Sequence, residues 1–266
     1  PGVPGLQFGP TSGILPVMCT ENSAASRPLT AVLFDLFHTL IDLSAAPAHT
    51  STPRLLGIEA AVWSRVVMEE SPHHALGTEI DPVESIRRIA HRINPAIPME
   101  RILAAARCRP ERFRAALLQV RPEVLELLGD LRRLGLRLGL ISNAGLDEIA
   151  CWPESPLATL IDTALFSCRE GVMKPDPEIY LRAAGRLGAR PADCLYVGDG
   201  ASREHEGASA AGMHTVLMLA ILNEVDPEAA ASRRRNTRWV VDSFGEFRAL
   251  VERLCRVGLP GAGPPA

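Results

Sequence analysis

Six short apolar runs, each ending in a polar or glycine-containing turn, set the strongest limit on how this chain can fold. They span 31–36, 136–141, 164–166, 194–197, 215–219 and 239–241, and segments of helical period at 122–134, 177–187, 202–211 and 244–254 alternate with most of them. Strands that alternate with helices need crossover connections. The pattern therefore predicts an α/β, Rossmann-like fold, a parallel sheet with helices on both faces. Ligands in such sheets bind beyond the carboxyl ends of the strands. Asp35, Ser142, Lys174 and Asp199 all fall at the end of a predicted strand or in the loop after it.

One interval breaks the alternation. From 43 to 120 there is no strand pattern, only helical stretches at 53–70, 82–93 and 99–119. Breaks are expected at Pro72, Pro95 and Pro98, because proline lacks the amide a helix needs and restricts the residue before it. An all-helical block inserted after the first strand reads as a cap over the sheet's active edge. The expected organisation is a disordered, Pro/Gly/Ser-rich extension over 1–29, a core of 30–42 and 121–256, a helical cap over 43–120 and a disordered tail over 257–266. Met18 is a candidate natural start within that extension.

The 266 residues suffice for one α/β domain with an insertion. A net charge of −3 implies no nucleic-acid partner, and no apolar run is long enough to span a membrane. The run Arg233-Arg234-Arg235 reads as a solvated loop. Six cysteines without C-x-x-C or paired spacing argue against a disulfide framework or a zinc site and predict a reducing, cytoplasmic setting.

Of the 28 cationic residues, 27 are arginine and one is lysine, Lys174, in the segment Gly171-Val172-Met173-Lys174-Pro175-Asp176-Pro177. Arginine is a broad planar fork, whereas lysine is a compact point charge that suits a phosphoryl or carboxylate oxygen in a tight site. Three other segments join it. Val32-Leu33-Phe34-Asp35-Leu36-Phe37-His38-Thr39-Leu40 is a strand ending in a carboxylate. Gly139-Leu140-Ile141-Ser142-Asn143 is a strand ending in a hydroxyl, and Tyr196-Val197-Gly198-Asp199 is followed by Glu204 and by Ala211-Gly212-Met213.

In order, residue type and placement, these four segments resemble the motifs of the haloacid dehalogenase-like hydrolase superfamily, and the resemblance extends over roughly 31–254, helical insertion included. A strand-end carboxylate such as Asp35 is able to attack phosphorus and form an aspartyl-phosphate. Asp199 and Glu204 supply hard oxygen ligands that, with Asp35, suit Mg²⁺. The resemblance adds the backbone carbonyl of Phe37 to that metal shell. It gives Ser142 and Lys174 the non-bridging phosphoryl oxygens and makes Thr39 and Asn143 supports that orient the nucleophile loop.

The main departure is Phe37. Most phosphatases of this superfamily carry a second aspartate two residues after the nucleophile, which protonates the leaving oxygen and then activates water. Phenylalanine can do neither, and such help is worth about 10²–10⁴-fold. His38 is adjacent but is expected to point to the other face. Three explanations stay open. The leaving group needs no proton, as with acyl or aryl phosphates; or an acid comes from the cap, where His49, His73, His74, Glu69 and Glu70 are available; or the chemistry is not phosphate-ester hydrolysis.

Dehalogenases of the superfamily place an aromatic residue at the position of Phe37 and use no metal, and Arg65 would then clamp a substrate carboxylate. Against that, a metal-free enzyme has little reason to gather Asp199 and Glu204 opposite Asp35, where like charges raise each other's pKa. Phosphonate-cleaving members use a cap lysine, which this chain lacks. Within the cap, His73-His74 reads as a surface or loop pair, and Trp63 and Met68 as core. The resulting expectation is a cytoplasmic, Mg²⁺-dependent hydrolase of a small phosphorylated metabolite. The alternatives are a dehalogenase-like enzyme and a metal-binding regulatory protein without turnover.

Overall fold

Four fully buried residues, Ala31–Phe34, form β1, and the rest of the sheet is built outward from them. The computed structural model describes residue 2 and residues 27–43, 46–78, 81–234 and 238–260. Its strands are β1, β2 (Arg137–Ser142), β3 (Thr163–Phe166), β4 (Cys194–Gly198), β5 (His214–Met218) and β6 (Trp239–Val241). They form one sheet in the order β3-β2-β1-β4-β5-β6, every neighbouring pair parallel.

Successive strand residues face opposite ways, so β1 feeds two cores. Val32 and Phe34 join the core built on helices α5 (Pro122–Arg133) and α11 (Phe244–Val257). Ala31 and Leu33 join the core built on α7 (Pro177–Arg186) and α8 (Glu204–Ala210). The chain leaves β1 toward β2 on one side and β4 toward β5 on the other. Their loops therefore part at the carboxyl ends, which opens the crevice where such sheets bind ligands.

The insertion between β1 and α5 is helical: α1 (Thr52–Leu56), α2 (Ala60–Ala75), α3 (Pro82–Ile93) and α4 (Met99–Leu118). It has an apolar core of its own around Leu56, Trp63, Ile86, Ile89 and Ile102. Asp81 caps α3 by accepting from the Val83 amide at 2.9 Å, and Pro82 at its first position needs no amide partner. No described helix is long and apolar enough to cross a membrane.

Several expectations need correction. The break at Pro72 does not occur, because α2 continues to Ala75, and His73 and His74 lie on helix rather than loop. Proline removes only one amide there, close to the helix end. The short helices Ser167–Glu170, Leu222–Val225 and Pro227–Arg233 (α6, α9 and α10) had too few residues to show a period. The expected disorder at 1–29 and 257–266 fails at its inner edges. Leu29 is buried, and Arg27 and Leu259 exchange backbone hydrogen bonds at 3.1 and 2.6 Å with the Leu259 side chain fully buried. Residues 3–26, including Met18, and 261–266 lie outside the described residues.

Helix α8 meets the lysine loop at Gly207, where an added Cβ would lie 2.3 Å from the Pro175 carbonyl oxygen and 2.8 Å from the Tyr180 ring. A backbone wall of this kind cannot yield as a flexible side chain can. Gly207→Ala is expected to destabilise by about 1–3 kcal/mol through overpacking. Gly185→Ala, on α7 with nothing within 4 Å of its added Cβ, should stabilise by about 0.5–1 kcal/mol. Urea unfolding of both variants checks the pair, and equal effects would contradict the contact argument.

Candidate active site

Asp35 follows β1 directly, and its amide donates to the Val197 carbonyl at 2.8 Å, which ties it to β4. The next residues turn sharply. The amides of Leu40 and Ile41 both donate to the Leu36 carbonyl, and His38 takes the left-handed conformation at φ 61°. That turn brings the Thr39 hydroxyl back to Asp35 Oδ2 at 3.1 Å. The other oxygen, Oδ1, accepts from Lys174 Nζ at 2.5 Å.

Lys174 is 2 % exposed and its ammonium has three partners: Asp35, Glu204 Oε2 at 2.6 Å and the Tyr196 hydroxyl at 3.1 Å. An ammonium has three protons, so the arrangement uses its donor capacity fully. Its backbone is held by Asn143. The Lys174 amide donates to Asn143 Oδ1 at 2.8 Å, and Asn143 Nδ2 donates to the Lys174 carbonyl at 2.9 Å. Thr39 is thus bonded to Asp35, whereas Asn143 is bonded to the lysine loop.

Glu204 is fully buried at the first position of α8, not a surface residue. Its Oε2 also accepts from Tyr196 at 2.6 Å, its Oε1 accepts from the Gly200 amide at 2.8 Å, and its own carbonyl accepts from Tyr180 at 2.7 Å. A Cβ on Gly198 would stand 2.1 Å from Glu204 Oε1, so the glycine of the Val197-Gly198-Asp199 segment makes room for the glutamate. Asp199 accepts from the Ala201 amide at 2.9 Å and is paired with the Arg233 guanidinium. Asp35, Asp199 and Glu204 each offer an oxygen within 4.8 Å of the others. Beside them the Ser142 hydroxyl is buried and has no hydrogen-bond partner among the described residues.

Burial pushes the Asp35 carboxyl up to about 7 against the pull of Lys174, and the Glu204 and Asp199 carboxylates add to the rise. Burial also raises Asp199, with Glu204 adding and Arg233 opposing. For Lys174 burial favours the neutral amine, but Asp35 and Glu204 outweigh it and hold the ammonium well above its usual range. Glu204 goes the other way, because burial is overcome by Lys174 and it stays below the usual carboxylate range. Three buried carboxyl groups gathered around one ammonium form a site that attracts further positive charge.

The remaining candidates separate. Phe37 meets Phe113 of α4 edge-to-face, ring centroids 5.5 Å apart. His38 is half-buried, and burial lowers its pKa against the opposing pull of Asp35. Arg65 and His73 are exposed on α2. His74 instead faces the core, 3.1 Å from Asp147 Oδ1 and 3.7 Å from Glu148 Oε1. Arg109 of α4 reaches the same two acids, with 3.0 Å to Asp147 Oδ2, and stacks 4.7 Å over the Phe113 ring. The surface-pair reading of the two histidines therefore holds for His73 and fails for His74, because the continued helix rotates it inward.

Sequence reasoning missed Tyr180, Tyr196 and Arg233, and dismissed Arg233 as a solvated loop residue. One signal was available: these are the only tyrosines in the chain, and both converge on Glu204.

The His74 pair has a testable sign. Burial lowers its pKa, but bonding to Asp147 and Glu148 outweighs this and raises it to about 9. A raised folded-state value means stability present below the unfolded value near 6.5 and lost as pH climbs through 9. Thermal melts of wild type and His74→Gln should differ most at pH 6 and converge above pH 9. A gap that persists at pH 10 would refute the charge pairing.

A haloacid dehalogenase-like hydrolase family model matches residues 29–212. A glyceraldehyde 3-phosphate phosphatase of Methanopyrus kandleri is 29% identical over 200 residues, covering 71% of this chain and 83% of that protein. A phosphoserine phosphatase of Thermus thermophilus is 32% identical over 114 residues, 42% of this chain and 46% of that one. Among solved structures, L-2-haloacid dehalogenase from Xanthobacter autotrophicus superposes with a TM-score of 0.61 at 20% identity, covering 84% of this chain and 98% of that one, a likeness of fold. With the sheet order, the helical insertion and the match over most of the core, this chain belongs to the haloacid dehalogenase-like hydrolases.

Proposed function

We propose that the protein is a Mg²⁺-dependent phosphatase of a small phosphorylated metabolite, acting through an aspartyl intermediate on Asp35. The observation that carries this reading is the convergence of Asp35, Asp199 and Glu204 within 4.8 Å, next to an ammonium and a free buried hydroxyl. Halide displacement by a carboxylate needs no such acidic cluster. The relatives named phosphatases favour the same reading.

Three carboxylates and two cations, Lys174 and Arg233, meet here, so the ionised groups leave a negative excess. Such a set of hard oxygens fits Mg²⁺ held by Asp35, Asp199 and Glu204, which would offset phosphoryl charge. Asp35 Oδ2 or Oδ1 attacks phosphorus, the phosphorus–oxygen bond to the leaving group breaks, and water later cleaves the aspartyl-phosphate. Lys174 lies between nucleophile and Glu204, where its charge counters repulsion between the carboxylate and the incoming phosphoryl oxygens. Ser142 offers its unpartnered hydroxyl to one of those oxygens. Thr39 keeps Asp35 in one rotamer while it reacts.

Asp35→Asn is expected to lower phosphatase turnover by at least about 10³-fold, as loss of a covalent nucleophile does. Calorimetry should find one Mg²⁺ site in the wild type and none in Asp199→Asn. A protein that hydrolyses 2-haloacids without metal, and no phosphate, would overturn the proposal.

Phe37 supplies no proton, so the leaving oxygen departs carrying its charge. Turnover should then fall steeply as leaving-group pKa rises, with aryl and acyl phosphates far ahead of alkyl phosphates. Phe37→Asp should flatten that slope, at some cost in stability because it removes the contact with Phe113. Equal rates on aryl and alkyl esters in the wild type would instead place the acid on the cap, with His74 the first residue to replace.

A further inference from the structure

We infer that the organic part of the substrate is small, uncharged and largely apolar, because the cavity between cap and core has the size and lining for such a group and the charges among its described lining residues are paired with one another. This inference rests on the phosphatase reading and deepens it. The cavity has a volume of about 140 Å³ and is partly open to solvent. A cavity of about 150 Å³ holds one benzene ring, so a group of that size fills this one.

On the cap side it is walled by Trp63 and Val67 of α2 and by Ile86 and Ile89 of α3. On the core side it reaches Asn143 and Ser202. Asn143 adjoins Ser142 and clasps the Lys174 backbone, and Ser202 belongs to the loop between Asp199 and Glu204. The cavity therefore opens onto the loops that would hold the phosphoryl group, and its contents would lie on the leaving-group side.

Charged groups do line it, but they are spent on one another. His74 and Arg109 face Asp147 and Glu148, two cations against two anions, all contacts within 3.7 Å. A substrate carboxylate or ammonium entering here loses its water and finds every opposite charge among the described lining residues already paired. Burying such an ion without a partner costs several kcal/mol. The Asn143 amide is committed to the Lys174 backbone, which leaves the hydroxyls of Ser85 and Ser202 as the other neutral polar groups among the described lining residues, and they suit at most an uncharged hydroxyl or carbonyl.

The test compares p-tolyl phosphate with 4-carboxyphenyl phosphate and 4-aminomethylphenyl phosphate. The carboxyl group improves the leaving group, so intrinsic reactivity favours the charged ester and any preference for tolyl must come from binding. Tolyl phosphate is expected to lead both in kcat/KM by about 30-fold or more. Arg109→Gln leaves an acid unpaired and should shift the order toward the aminomethyl ester, while Asp147→Asn should shift it toward the carboxyphenyl ester. If either variant folds poorly, calorimetric binding of the three esters to Asp35→Asn supplies the same ranking. Charged esters that match or exceed tolyl phosphate, with acetyl phosphate still hydrolysed, would overturn this inference and leave the phosphatase reading standing. No turnover of acetyl phosphate or any aryl ester would defeat the phosphatase reading and this inference with it.

Discussion

The ammonium of Lys174, buried between Asp35 and Glu204, is the interaction on which the rest of the site depends. Without it two carboxylates would sit in a desolvated pocket with Asp199 nearby, and burial plus mutual repulsion would force protonation or local opening. With it, each acid can be buried in a defined geometry. The surrounding structure is arranged to hold that one charge. Asn143 clamps its backbone, Tyr196 takes its third proton, Tyr180 anchors the Glu204 backbone, and Gly207 lets α8 close against Pro175. Arginine, a wider fork with five donors, has no way to replace a point charge at 2.5 and 2.6 Å from two separate oxygens.

A second line of contacts joins this centre to the cap. Phe37, two residues from the nucleophile, meets Phe113, Arg109 stacks on Phe113, and Arg109 with His74 grips Asp147 and Glu148 in the loop after β2. The side chain of Phe37 is a packing contact with a cap helix. Ring stacking and partly buried ion pairs are both sensitive to small displacements. A continuous set of contacts therefore runs from the loop of Phe37 through the cap to the loop after β2.

Much of the architecture was legible because it rests on local patterns. Strands at 31, 137, 163, 194, 214 and 239 announced themselves as apolar runs, and the strandless interval between them marked the insertion. Asp35, Ser142, Lys174, Asp199 and Glu204 were legible for a related reason: a parallel sheet delivers its strand ends to one edge, so residues far apart in sequence become neighbours by topology alone. The tyrosines were not, because a tyrosine within an apolar strand reads as core until a buried acid is known to face it. The inward turn of His74 was hidden by Pro72, whose expected break did not happen.

Sequence alone determined the sheet, the helical insertion and the identity of the residues at the strand ends, since these follow from periodicity, chain order and side-chain chemistry. Tertiary structure alone decided which charge meets which. It sent Arg233 to Asp199 rather than to solvent, Asn143 to Lys174 rather than to the nucleophile loop, and His74 and Arg109 to the same two acids. Those pairings depend on distances of a few ångströms between elements that pack through apolar contacts, and such contacts set the spacing without encoding, in any local stretch of sequence, which polar groups they will bring together.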